Sequence, residues 1–307
     1  MKRALRRLFL DPEPPLVAVE VRPGAIGVLR LLSRGGSLVF AAAASLELPV
    51  GVLRPSMTEP NLVDAAAFRQ TLRSVLERAG VLGGARAALV LPDPVARIAI
   101  LPAAEVKGRG AAETEALIRF RLKKAVPFEV KDARVGFRRD AAGQVIAVAA
   151  LRAVLDPYEA ECRAVGLEPG LVELSGLAML EAVEASRPAA DRLFVNWDAG
   201  YVSIFLVREG ALALARTLSG ASAAEPAQVL REVENTVVYY RERLGGGALG
   251  AAVVRSAALP PQDALRLLEA SLGTPVQILD PQPPGASAPT LAQELAGAAA
   301  SLLGRVA

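Results

Sequence analysis

The sequence contains no histidine and a single cysteine, Cys162. Without histidine there is no Ser-His-Asp triad, no Cys-His nucleophile pair and no zinc site built on imidazole. One cysteine excludes an internal disulfide and a thiolate metal cluster. Its place in the helical pattern PYEAECRAVG marks it as a small core residue rather than a reactive thiol. Aromatics are scarce, at 4%, and the formal net charge is only +3. A basic surface interleaved with aromatics is therefore missing, and no nucleic-acid partner is expected. No run of about 18 apolar residues occurs, so no membrane-spanning helix is expected. The most apolar stretch, Ser37 to Leu53, is interrupted by Glu47 and Pro49. The opening MKRALRRLFLDPEPP lacks the long apolar core and cleavage site of a signal peptide, and the chain reads as cytoplasmic. Lys2, Arg3, Arg6 and Arg7 lie beside Leu5, Leu8, Phe9 and Leu10. Two readings stand for them: contact with an anionic membrane surface, or a frayed basic terminus.

What is present is apolar and small. Hydrophobic residues make up 52% of 307, much of it Ala, Leu and Val. That is enough for two domains, each with its own core. Two stretches read as the same piece of structure: LVAVEVRPGAIGVLRLLSRGGSLVFAAAASLELP, from Leu16 to Pro49, and LFVNWDAGYVSIFLVREGALALARTLSG, from Leu193 to Gly220. Each predicts a strand ending in an acid, Glu20 or Asp198, then a tight turn with Gly24 or Gly200. A second strand, a second glycine turn (Gly35-Gly36 or Gly210) and a third strand follow. This duplication predicts an α/β protein with an actin-like fold, two duplicated RNase H-like lobes facing a cleft. Acids and backbone amides so placed can hold a metal-bound phosphate between lobes.

Between and after the meanders the pattern is helical. Asp64 to Ala79 predicts a helix with Phe68, Leu72, Val75 and Leu76 on one face. Residues 95–150 read as an inserted subdomain: the strand RIAILP, a helix from Glu113 to Ala125, and the hairpin ARVGFRRDAAGQVIAVAAL turning at Asp140 to Gly143. An open edge strand there offers a place for a partner's peptide. The first lobe thus comprises 1–94 and 151–187, and resumes with a helix from Pro157 to Val165. The boundary is expected at Arg187-Pro188-Ala189-Ala190, with the second lobe over 188–307. Its long helix, Pro226 to Leu244, carries Val229, Val233, Val237 and Tyr240 at helical spacing, and LAQELAGAAASLLGRV closes the chain.

A phosphate between lobes needs turn amides, a carboxylate for magnesium and a small polar side chain. Asp198-Ala199-Gly200-Tyr201-Val202-Ser203 supplies all three in one turn, with Asp198 as the metal-positioning acid. The same Asp-x-Gly also serves plain hairpin geometry. In the other lobe Glu20 and Gly24 remain, but Arg22 and Pro23 occupy the turn, and proline removes a backbone donor. That turn reads as a degraded phosphate loop or as an ordinary hairpin. Ser256 follows the strand AAVVR where a nucleotide base could rest, and Arg255 reads as a solvated loop arginine or as a base-stacking one. Substituting Asp198 is expected to abolish nucleotide binding with folding intact.

These segments resemble the PilM-type proteins, the cytoplasmic actin-like components of type IV pilus assembly. IRFRLKKAVPFEVKDARVGF, from Ile118 to Phe137, is similar to their helix running into an IPF corner. ALVLPDPVARIAILP resembles the strand pattern before it, VNWDAGYVSIFLVREGALALARTLSG the second phosphate hairpin, and EVENTVVYYRERLGG the helix after it. The resemblance implies a scaffold peripheral to the cytoplasmic face of the inner membrane. It implies a partner, the amino-terminal tail of a PilN-like bitopic membrane protein, in a groove bordered by Arg119, Lys123, Pro127 and Phe128. It also implies ATP with magnesium at Asp198, Gly200, Tyr201, Ser203, Glu20, Gly24 and Ser256. Glu20 stands where the family usually has Asp, and Arg22-Pro23 and Arg255-Ser256-Ala257 replace its small or Gly-rich loops, so a degenerate nucleotide site is expected. A related type II secretion protein shares the fold. The alternatives are a small-molecule kinase of the same superfold and a self-associating filament protein.

Overall fold

The computed structural model describes residues 15–35, 37–81, 83–140, 142–186, 191–280 and 293–303. The expected boundary at 187–190 and the basic start lie outside these described residues. A strand covered on both faces has no polar side to alternate with, and β1 (Val17–Arg22) is buried at every position. The chain doubles back through β2 (Ala25–Arg34) and β3 (Ser37–Glu47). Helix α1 (Ala65–Arg78) starts at Asp64, whose side chain accepts from the Ala67 N–H at 2.9 Å, an N-cap that satisfies an otherwise orphan donor. It buries Phe68, Leu72, Val75 and Leu76, the face read from the sequence. β4 (Arg86–Leu91) then enters the sheet parallel to β1.

β5 (Arg97–Leu101), a short α2 (Ala103–Val106), α3 (Ala111–Leu122), β6 (Ala133–Arg139) and β7 (Val145–Leu151) come next. Helix α4 (Arg152–Ala164) begins five residues before the expected Pro157, because buried Val154 and Leu155 already anchor its first turn. Pro157 sits inside it at the cost of one intrahelical hydrogen bond. Cys162 on the same helix is buried, and burial pushes its thiol up to about 12, which leaves it inert. β8 (Glu168–Leu174) and α5 (Ser175–Ser186) complete this half.

The second half repeats the plan: β9 (Arg192–Asp198), β10 (Tyr201–Arg208), β11 (Ala211–Ser219), α6 (Pro226–Arg243), β12 (Ala251–Ser256), α7 (Pro261–Leu272), β13 (Val276–Ile278) and α8 (Ala296–Leu303). The strand orders are β3-β2-β1-β4-β8 and β11-β10-β9-β12-β13, each an antiparallel meander continued by parallel strands. The third sheet, β5-β7-β6, packs Val145, Ala147 and Ala149 against Ile118 and Leu122 of α3 in a core of its own.

Helices α5 and α8 lie against each other and join the halves: α5 touches strands of both five-stranded sheets, and α8 crosses β1, β2 and β4. Val19, Phe68 and Leu89 of one half share a hydrophobic cluster with Phe194, Phe205 and Val253 of the other, with Leu180, Ala296 and Ala300 between. Close approach explains the small residues. A Cβ on Gly176 would meet the Phe205 ring at 2.4 Å and the Asp93 carboxylate at 2.6 Å. Alanine at 176 would gain about 1 kcal/mol of helix propensity, but overpacking two buried groups costs about 1–3 kcal/mol. We expect Gly176→Ala to lower the urea midpoint despite the better helix former. An unchanged or higher midpoint would mean the contact is relaxed in solution.

Candidate functional site

β1 and β9 run to equivalent first turns, and their acids meet one guanidinium. Arg255, near the end of β12, donates from Nη1 to Asp198 Oδ2 at 2.5 Å and from Nη2 to Glu20 Oε1 at 3.3 Å. Its Nη1 also reaches Asn196 Oδ1 at 3.1 Å, and its Nε reaches the Gln293 carbonyl at 2.8 Å. Side-chain exposure is 0% for Arg255 and Glu20 and 1% for Asp198. Each carboxylate's second oxygen is engaged: Asp198 Oδ1 accepts from the Ala199 N–H and Glu20 Oε2 from the Ala298 N–H, both at 2.8 Å. Arg255 is thus not the solvated loop or base-stacking residue expected from sequence. It is a wholly buried strand residue, held there by two acids that water does not reach.

A second buried acid lies nearby. Asp93, in the turn after β4, accepts from the Gly176 N–H at 2.8 Å and from Asn196 Nδ2 at 3.0 Å. Ser203 bonds Thr217 across β10 and β11 at 3.0 Å. Tyr201 is fully buried, and its hydroxyl has no partner among the described residues. Gly200 adopts φ 77°, the left-handed turn that favours glycine, whereas Gly24 lies in an ordinary turn. Ser256 closes a local loop, donating to the Leu259 carbonyl at 2.8 Å and accepting its N–H at 3.1 Å.

The electrostatics follow from two carboxylates paired to one guanidinium in a dry site, with Asp93 buried nearby and Arg22 also acting on Glu20. Burial opposes the Arg255 charge, but Asp198 and Glu20 outweigh it and its pKa is raised. Burial raises Glu20 against Arg255, Arg22 and the Ala298 N–H. Burial likewise raises Asp93 against its hydrogen bonds from Ser203, Gly176 and Asn196. A carboxyl raised on folding binds its proton more tightly in the folded state. Its contribution is fullest below the unfolded values, near 3.8 for Asp93 and 4.5 for Glu20, and is lost as pH rises through the folded values. We expect the urea midpoint to fall from mildly acidic toward neutral pH, and Asp93→Asn to flatten that slope. A variant with the same slope would assign the effect elsewhere.

A cavity of about 450 Å³ opens between β6 and β8. Both are terminal strands in their sheets among the described residues. Ile146, Val148 and Ala150 of β7, with Leu171 and Leu174 of β8, make its lining mostly apolar. Gly136 on β6 pairs with Val148, and nothing lies within 4 Å of where its Cβ would stand. The absent side chain leaves Val148 reachable. Arg119, Lys123, Pro127 and Phe128 do not line this groove. Arg119 braces α3, bonding Glu115 at 2.9 Å and the Val130 carbonyl at 3.2 Å. Lys123 is exposed and Phe128 half-buried, while Pro127 lines a separate cavity of about 290 Å³ with Pro55 and Thr217.

No family model matches the sequence, and no curated protein does. Solved structures do. One, from a PilM-PilN type IV pilus biogenesis complex, superposes with a TM-score of 0.75 at 18% identity, over 96% of this chain and 98% of that one. A Bacteroides thetaiotaomicron protein of actin-like ATPase fold and unknown function superposes at 0.53, with 8% identity, over 86% of this chain and 90% of its own. The chain has the actin-like fold.

The actin-like fold raises the question of whether the cleft residues suit a nucleotide with its magnesium. They do not. Asp198, the acid expected to position a metal, and Glu20, its counterpart in the other lobe, are both committed to Arg255. The Ala199 amide is committed to Asp198, and Pro23 supplies no donor. Among the described residues no group of three or more His, Cys, Asp or Glu side chains could hold a metal ion. No described helix is long and apolar enough to cross a membrane.

Proposed function

We propose that this chain is a scaffold at the cytoplasmic face of the inner membrane, part of the platform of a type IV pilus or a related secretion system. It seats an extended segment of a PilN-like bitopic membrane protein. The observation that carries this reading is the groove, an apolar trough flanked by two sheet edges, β6 and β8. Edge strands present main-chain donors and acceptors for an added strand, and alternate side chains of that strand would enter the trough. The fold shared with the PilM-PilN structure supports the choice of partner. The histidine-free composition and the internally paired cleft acids support a binding rather than a catalytic role.

The test is fluorescence anisotropy with labelled peptides spanning the cytoplasmic tails of bitopic membrane proteins encoded beside this one. Saturable one-to-one binding of one tail, competed by the unlabelled peptide, is the expected result. Failure of every such tail to bind would overturn the reading.

A further inference from the structure

We infer that the cleft of this protein is latched by its own side chains, with Arg255 and the buried carboxylates standing where Mg·ATP would sit, so that the two lobes are joined without nucleotide. Helix N-termini attract anions through their unpaired N–H groups and dipole. Here both helices at the lobe junction have filled that role internally. Asp93 accepts from Gly176 in the first turn of α5, and Glu20 accepts from Ala298 in the first turn of α8. A guanidinium then supplies the cation that the acids require, bridging Glu20 of one lobe to Asp198 of the other.

Charge and space both exclude the nucleotide. Glu20 and Asp198 already share the Arg255 guanidinium, Asp93 is buried beside them, and Arg22, the other cation acting on Glu20, pairs with Glu294, so a polyphosphate would add like charge to a site whose cations are committed. A methyl group at Gly297 would lie 2.8 Å from Glu20 Oε1, so the α8 backbone closes directly onto the acid. Neither the groove between β6 and β8 nor the second cavity includes Glu20, Asp198 or Arg255.

Two measurements test the latch. The wild-type chain is titrated with Mg·ATP by calorimetry, and its Tm is followed over the same concentrations. No saturable heat and no rise in Tm is the expected result, since a ligand selective for the folded state must raise stability. Saturable one-to-one binding would overturn the inference. The second compares Arg255→Met with the triple variant Glu20→Gln/Asp198→Asn/Arg255→Met. The amides of the triple still accept from Ala298 and Ala199, and neither position 20 nor position 198 is left as a buried charge without Arg255. Recovery of most of the Tm lost by Arg255→Met supports a paired latch. A triple variant no more stable than the single one would overturn it. Neither readout involves a peptide, so failure here is distinct from failure of the scaffold reading.

Discussion

Asp198→Ala is expected to destabilise the protein by about 3–5 kcal/mol, the cost of removing one partner from a buried ion pair. From sequence this residue looked dispensable for folding, as a cleft acid facing a ligand. Burial reverses that expectation. Loss of the carboxylate leaves Glu20, at the longer distance, as the one carboxylate still bonded to Arg255 and takes the acceptor from the Ala199 N–H. Native domains hold only about 5–15 kcal/mol in total, so this one change removes a large part. The exposed pair Arg266–Asp263, at 3.7 Å with side chains 75% and 54% accessible, provides the contrast. Its loss through Asp263→Ala should cost under about 1 kcal/mol. Urea unfolding of both variants decides the matter. Equal midpoints would mean that the Asp198 pair is solvated, and the latch would fall with it.

The difference between what sequence told and what it hid lies in how local each signal is. Phe68, Leu72, Val75 and Leu76 declare α1 because their 3.6-residue period is read within one turn of helix. Val229, Val233 and Tyr240 do the same for α6. The repeated strand, acid, glycine order declared the two lobes, since each copy is contiguous. Arg255 carried no such signal. The strand AAVVRS is too short and too apolar for its periodicity to orient a side chain, and the partners lie 57 and 235 residues away. An unpaired arginine in a buried strand, beside two turn acids lacking a cation, was the available hint. One wall of the groove was legible, the open edge strand expected in the inserted unit, but the second was hidden for the same reason. β6 and β8 belong to different sheets and are set beside each other only by packing. The residues chosen from the helix corner, Arg119 and Lys123, therefore lie off it.

The second large effect is expected at Gly136. Leucine there should weaken tail binding about 100-fold, roughly 2.8 kcal/mol at 1.4 kcal/mol per factor of ten, while leaving stability unchanged or slightly higher. Position 136 pairs with Val148 on the groove side of β6, and a Cβ would meet nothing within 4 Å. The new side chain therefore enters free space, namely the trough the peptide's apolar residues need. Its φ lies outside the left-handed range, so no backbone strain opposes the change, and a branched side chain favours a strand over glycine. Most loss-of-binding variants are ambiguous because they also unfold the protein; here the two effects have opposite signs. Anisotropy and urea unfolding on the same preparation separate them. Charge reversal at Arg119, which holds α3 to the Val130 carbonyl from outside the trough, should weaken binding less than Gly136→Leu. Full binding by Gly136→Leu, with Arg119→Glu abolishing it, would move the interface from the sheet edges to the helix corner.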